Sequence, residues 1–260
     1  MPIAEVNGQR IRYEDTGGDG PPVILSHGFL MDREMFAPQV EALSPEFRVI
    51  TWDERGFGET EFDGQPFTYW DSAQDCLGLL DQLGVQEAVL GGMSQGGFLS
   101  MRAALLAPER VRALVLIDTQ SGQEDPERLP AYQQMQQVWL EHGPVDELAQ
   151  TIANLILGDA VLNEVWIAKW RLLPREAMAE PCNTLFNRED ITDRLSGISC
   201  PAIVFHGTED QSIELALGEQ LSRNLPGSVG VVQVEGAAHA GNLSHPEQVN
   251  GPLLGFLRSL

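Results

Sequence analysis

The stretch that most constrains this chain is Gly91-Gly92-Met93-Ser94-Gln95-Gly96-Gly97, set between the apolar run Ala88-Val89-Leu90 and the helix-like run from Phe98 to Leu105. It reads as a strand, a sharp turn with one serine at its tip, and a helix. A serine in such a turn takes a backbone conformation that L-residues disfavour, at a cost of about 1–3 kcal/mol, and strain of this kind clusters at functional sites. Gly92 and Gly96, two residues before and two after it, remove the Cβ atoms that would collide there. Ser94 is therefore the candidate nucleophile. Gly-x-Ser-x-Gly also occurs in plain loops, so its weight depends on whether the remaining parts of a site follow in a workable order.

Around this element the pattern alternates. Ala4 to Glu14, centred on Asn7-Gly8, predicts a β-hairpin. A strand Val23–Leu25 runs into Ser26-His27-Gly28-Phe29-Leu30, followed by a helix over Arg33–Leu43 and a strand over Phe47–Trp52. After the glycine-bearing loop Asp53–Gly58, Thr68–Leu83 reads as a helix with Trp70, Ala73, Leu77 and Leu80 on one face and Gly84 as its stop. Val111–Ile117 is a further buried strand, ending at Asp118. Strands and helices in this alternation predict an α/β fold, a mostly parallel sheet with an antiparallel hairpin at its start and helices on both faces.

The rhythm breaks between Ser121 and Asp193, where helical patterns over Tyr132–His142, Val145–Leu157 and Asn163–Leu173 occur without a convincing strand. Three of the five tryptophans, Trp139, Trp166 and Trp170, lie there. The expectation is a helical cap insertion at 121–193 over the sheet's C-terminal edge, dividing a core domain made of 1–120 and 194–260. Most of these aromatics would pack the cap's own core. The core rhythm resumes with the strand Ala202–Phe205, the turn His206-Gly207-Thr208-Glu209-Asp210, a helix over Ile213–Asn224, the strand Val229–Val234, the turn Gly236-Ala237-Ala238-His239 and a helix over Pro246–Leu260.

Charge excludes some functions. With 38 acidic against 16 basic residues, a formal net charge of −22 and Lys169 as its single lysine, the chain should repel phosphate backbones and anionic lipid, so neither nucleic acid nor membrane is an expected partner. No apolar run approaches the ~20 residues needed to span a bilayer, and the start has no basic and apolar leader, which predicts a cytoplasmic protein. Cys76, Cys182 and Cys200 show no metal-ligand spacing and read as structural thiols. No metal or cofactor is expected.

A serine hydroxyl needs a general base, and the base needs an acid to hold its tautomer. In open α/β sheets such groups gather beyond the strands' carboxyl ends. His239, in a turn of small residues after a strand, is the favoured base. His245 reads as a cap or surface residue, and His206 as a turn-packing one. For the acid, Asp210 and Asp118 both stand just past strand ends; Asp210 is favoured and Asp118 is its rival. The backbone N–H of Gln95 is one natural oxyanion donor, and that of Phe29, after the first core strand, is the second. His27, before Gly28, is expected to brace its loop.

Five stretches together carry a family resemblance: SHGF at 26–29, DERGFG at 53–58, GMSQGG at 92–97, HGTED at 206–210 and GAAH at 236–239. Over nearly its whole length the chain resembles the cap-bearing serine esterases and lactonases of the α/β-hydrolase superfamily. The resemblance implies the α/β-hydrolase fold and assigns roles to Ser94, Asp210, His239, Phe29 and Gln95. Thr60 departs from it slightly, standing where relatives often have serine. The serine at the elbow excludes the reactions of relatives that use aspartate there. Of the reactions still open, the expected one is hydrolysis of a small, apolar carboxylic ester or lactone through an acyl-enzyme. The alternatives on the same triad are C–C bond hydrolysis and cofactor-free perhydrolysis, with a ligand receptor on the hydrolase fold as a reading from another class. Leu30, Met93, Trp139 and Trp166 are the expected pocket residues.

Overall fold

The computed structural model describes residues 2–260. Its centre is an eight-stranded sheet of β1 (Ile3–Val6), β2 (Gln9–Asp15), β3 (Pro22–Ser26), β4 (Arg48–Trp52), β5 (Ala88–Met93), β6 (Val111–Ile117), β7 (Ala202–Gly207) and β8 (Ser228–Val234), in spatial order β1-β2-β4-β3-β5-β6-β7-β8. Only β1 with β2 and β2 with β4 pair antiparallel; every other pair is parallel. The hairpin turns at Asn7 and Gly8, both at positive φ (48° and 79°), as a two-residue connection requires.

Alternation along the strands divides the core in two. Val23, Leu25, Val49, Val89, Val115 and Phe205 fall on one face, and Ile24, Ile50, Leu90, Leu114, Leu116 and Val204 on the other. Both faces need cover, which α1 (Ala37–Leu43), α2 (Tyr69–Gln82) and α3 (Gln95–Leu106) begin to supply. The helix expected over Arg33–Leu43 is divided into a 3₁₀ turn at Arg33–Phe36 and α1, because Pro38 in the first turn of α1 has no N–H to continue the ladder. Thr68 and Asp71 form a reciprocal capping box at the start of α2. The buried stripe of α2 is Ala73, Cys76, Leu79 and Leu80; Trp70 and Leu77 flank it half-buried rather than sharing it.

Between β6 and β7 the chain is helical: α4 (Leu129–His142), α5 (Asp146–Ile156), α6 (Ala160–Trp170) and α7 (Ala179–Phe186). The last of these was not expected, since Pro181 in its first turn and a length of eight residues mask its period. α6 starts three residues earlier than its apolar pattern suggests, because the Asp159 carboxylate accepts from the N–H groups of Val161 and Leu162. α8 (Leu215–Asn224), α9 (Gly241–Ser244) and α10 (Pro246–Arg258) complete the core.

Candidate active site

Order β4-β3-β5 means that the chain leaves β3 toward one side of the sheet and β5 toward the other, the arrangement at which a crevice opens beyond the strand ends. At the end of β5, Ser94 sits at φ 54° and ψ −114°. A Cβ on Gly92 would overlap the backbone of Gly96, and one on Gly96 would overlap the Ser26 carbonyl. Glycine at both positions is thus a steric requirement of the turn. The Ser94 N–H donates to Ile117 O at 2.9 Å, and its carbonyl accepts from Thr119 Oγ1 at 2.8 Å, which ties the turn to the end of β6.

His239 stands in the turn between β8 and α9, flanked by Ala237 and Ala240, both fully buried. The Ala240 N–H donates to Ile156 O at 2.7 Å, fastening this turn to the end of α5. His239 Nε2 lies 2.9 Å from Ser94 Oγ, and its Nδ1 2.7 Å from Asp210 Oδ2. The other oxygen of Asp210 accepts from the N–H groups of Ser212 (2.8 Å) and Ile213 (3.0 Å). Burial opposes ionisation of Asp210, but the His239 charge, the hydrogen bonds from His206 and His239 and the Ile213 N–H together hold its carboxyl below the usual range. Burial likewise opposes a charge on His239; the Asp210 carboxylate, its hydrogen bond and Asp118 outweigh it and raise the imidazole above its ordinary 6.5. Such a chain can remove the Ser94 proton, store it on the imidazole and return it to a leaving group.

Asp118, the rival acid, has no hydrogen bond to His239. Its two oxygens accept from the N–H groups of Gly207 (2.7 Å) and Gly241 (3.1 Å), so it joins the turn after β7 to α9. Burial first, then the neighbouring Asp210, pushes it up to about 7. His27 braces its loop as expected, Nδ1 donating to Gly28 O (2.8 Å) and Nε2 accepting the Glu54 N–H (3.0 Å). His206 Nε2 donates to Ile213 O at 2.8 Å, and His245 is the N-cap residue of α10. Asp118, His206 and Asp210 hold potential ligand atoms within 4.8 Å of one another. Asp118 and Asp210 there each accept from backbone N–H groups, and Asp210 also holds His239.

The N–H groups of Phe29 and Gln95 donate to no acceptor among the described residues. Gln95 is the first residue of α3, where N–H groups have no partner inside the helix. The side chain of Gln95 accepts from the buried Tyr69 hydroxyl at 3.2 Å, a contact between residues 26 apart that sequence alone does not display. Thr60 keeps a hydroxyl in its loop, donating to Asp53 O at 2.6 Å.

Ser94 and His239 open into a cleft of about 910 Å³, counted with its mouth. Leu30 and Trp139 line it, together with Phe29, Phe98, Ile156 and Ile213. Met93 and Trp166 do not. Met93 turns its sulfur under Gly28, into the space a side chain there would need. Trp166 lies under Lys169, 4.4 Å from ring to ammonium, where α6 meets Asp32 and Glu34. The unforeseen α7 supplies Cys182, Leu185 and Phe186 to the wall, and Glu124 and Arg188 form an ion pair in it. Among the described residues, no helix is long and apolar enough to cross a membrane.

Known proteins share this fold. An esterase from Thermogutta terrifontis superposes with a TM-score of 0.89 at 30% identity, covering 99% of this chain and 98% of that one. An enol-lactonase from Burkholderia xenovorans gives 0.89 at 27%, covering 99% and 100%. A non-heme chloroperoxidase of Streptomyces lividans is 29% identical over 99% of each chain. The sequence model of the family described as "alpha/beta hydrolase fold" matches residues 21–246. The chain belongs to the α/β-hydrolase fold family.

Proposed function

We infer that the protein hydrolyses small carboxylic esters or lactones, with Ser94 as nucleophile, His239 as general base and then acid, and Asp210 as the group that holds and charges His239. The observation that carries this reading is the unbroken hydrogen-bond chain from Ser94 Oγ to His239 (2.9 Å) and on to Asp210 (2.7 Å) at the floor of the cleft. Ser94 Oγ attacks the carbonyl carbon as its proton passes to Nε2. The oxyanion forms toward the N–H groups of Phe29 and Gln95. Collapse expels the alcohol, protonated by His239, and water activated by the same imidazole clears the acyl-enzyme. The helices of 121–193 act as a cap whose apolar wall selects the substrate. Similarity to an esterase and an enol-lactonase supports the ester and lactone classes.

A panel of p-nitrophenyl esters, lactones, diketones and peroxide-dependent reactions, with Ser94→Ala as the blank, tests this. Multiple turnover of esters or lactones is the expected result. Turnover confined to diketones, or peracid formation without hydrolysis, would replace it.

The pH profile is the second expectation. His239 acts as base only when neutral, and its pKa is raised, so kcat/KM should fall on the acid side with a midpoint above 6.5. Asp118, His206 and Asp210 all face this imidazole, so the midpoint belongs to the cluster. A midpoint well below 6 would contradict an Asp210-charged base, on the ordinary histidine value of about 6.5.

A further inference from the structure

Away from Ser94 and His239 the cleft wall is mostly apolar, and its charged side chains are Glu124 and Arg188. Arg188, after the end of α7, is 6% exposed and lines the cleft, yet it is not fully used. Its Nε donates to Gly122 O (3.0 Å), and its Nη1 to Glu124 Oε2 (2.8 Å) and Leu185 O (3.0 Å). Its Nη2 has no acceptor among the described residues. The guanidinium lies over the ring of Phe98, 4.8 Å from its centroid, and Phe98 begins the second turn of α3 from Ser94. Phe98 and Arg188 line the same cleft as Ser94.

Resting on the ester or lactone reading, we propose that Arg188 and Glu124 form a subsite for a neutral oxygen acceptor, a ketone, amide or ether oxygen, carried by the substrate a few bonds from the scissile carbonyl. A charged donor that no protein group satisfies, in a mostly apolar wall, favours a ligand that supplies the acceptor. The charge balance chooses which. Glu124 already neutralises Arg188 and itself lines the cleft, its second oxygen accepting the Asp125 N–H at 3.1 Å. A substrate carboxylate would therefore bring an unbalanced negative charge beside Glu124, in a protein of net charge −22. A neutral oxygen meets Nη2 without that penalty.

The test uses matched esters: an alkyl p-nitrophenyl ester, its analogue with a ketone near the chain end, and the half-ester of a dicarboxylic acid of equal length. A second series carries the same groups on the alcohol. In at least one series the ketone should be preferred to the alkyl ester by about tenfold or more in kcat/KM, as expected for a hydrogen bond to a charged donor. The half-ester should be disfavoured. Arg188→Met should abolish the ketone preference. Glu124→Gln, which leaves the Arg188 charge unbalanced, should reverse the order and raise the half-ester by about tenfold relative to the alkyl ester. That reversal is not produced by a merely structural ion pair, and it decides the matter if Arg188→Met does not fold. Calorimetric binding of the same compounds to Ser94→Ala separates the subsite from the reaction: if wild type turns over none of them, the hydrolase reading fails while the binding order still decides the subsite. Equal preference for ketone and alkyl compounds in both series, or a half-ester preferred by the wild type, overturns the proposal.

Discussion

Ser94→Ala is expected to lower kcat for a short p-nitrophenyl ester by about 10⁶-fold, the scale seen when the nucleophile is removed from a serine–histidine–aspartate unit. The size of the effect follows from what alanine leaves. His239 keeps its bond to Asp210, and the N–H groups of Phe29 and Gln95 keep their positions, but no atom remains to form the acyl-enzyme. KM should change little, because the wall of the cleft is untouched. Loss of fold is not the expected cause: Ser94 already holds φ 54°, and the elbow is held by the Ser94 N–H on Ile117 O and the Thr119 hydroxyl on Ser94 O rather than by the Ser94 hydroxyl. A circular-dichroism melt beside the kinetics checks this. Retention of more than about a hundredth of the wild-type rate would remove Ser94 from the mechanism, since single oxyanion donors alone account for losses of about 10²–10³.

The parts of this protein legible in its sequence are those fixed by short-range chemistry. Glycines that leave no room for a Cβ, such as Gly92 and Gly96, mark the elbow because the collision lies within a few residues or against the adjacent strand. Strands with period two on both faces, as in Val23-Ile24-Leu25, declare a doubly covered sheet. The order of strand ends then brings Ser94, Asp210 and His239 to one edge. The cleft wall is different, because it depends on how four helices pack on that edge. Trp139 and Trp166 look alike in sequence, yet one reaches the cleft and the other seals α6 against Asp32 and Glu34 through Lys169. Met93, next to the nucleophile along the chain, faces away from the cleft because a β-strand alternates its side chains. Arg188 stands in the polar run Asn-Arg-Glu-Asp, which reads as a solvated turn, and its burial follows only from its contacts with Gly122, Glu124 and Phe98.

The two buried aspartates offer the second large effect and the clearest contrast. Asp210→Asn is expected to lower kcat by about 10⁴-fold, by analogy with the same change in a serine protease. An amide at this position can present its oxygen to the N–H groups of Ser212 and Ile213, so the local turn keeps its acceptor. It then turns an N–H toward His239 Nδ1, which forces the proton onto Nε2, the nitrogen that must accept from Ser94. Because the Asp210 charge is what raises His239, the acid limb of any residual activity should also move to lower pH. Asp118→Asn should do the reverse in each measurement. Asp118 touches Gly207 and Gly241 N–H rather than His239, so kcat should stay within about tenfold of wild type, whereas an amide donor facing one of those N–H groups leaves it unsatisfied and costs about 1–3 kcal/mol of stability. The predicted signature is thus a large kinetic loss with a nearly unchanged melting temperature for Asp210→Asn, and a lowered melting temperature with retained turnover for Asp118→Asn. A larger loss of kcat from the Asp118 change would transfer the role of acid to the strand before the insertion and leave Asp210 as its support.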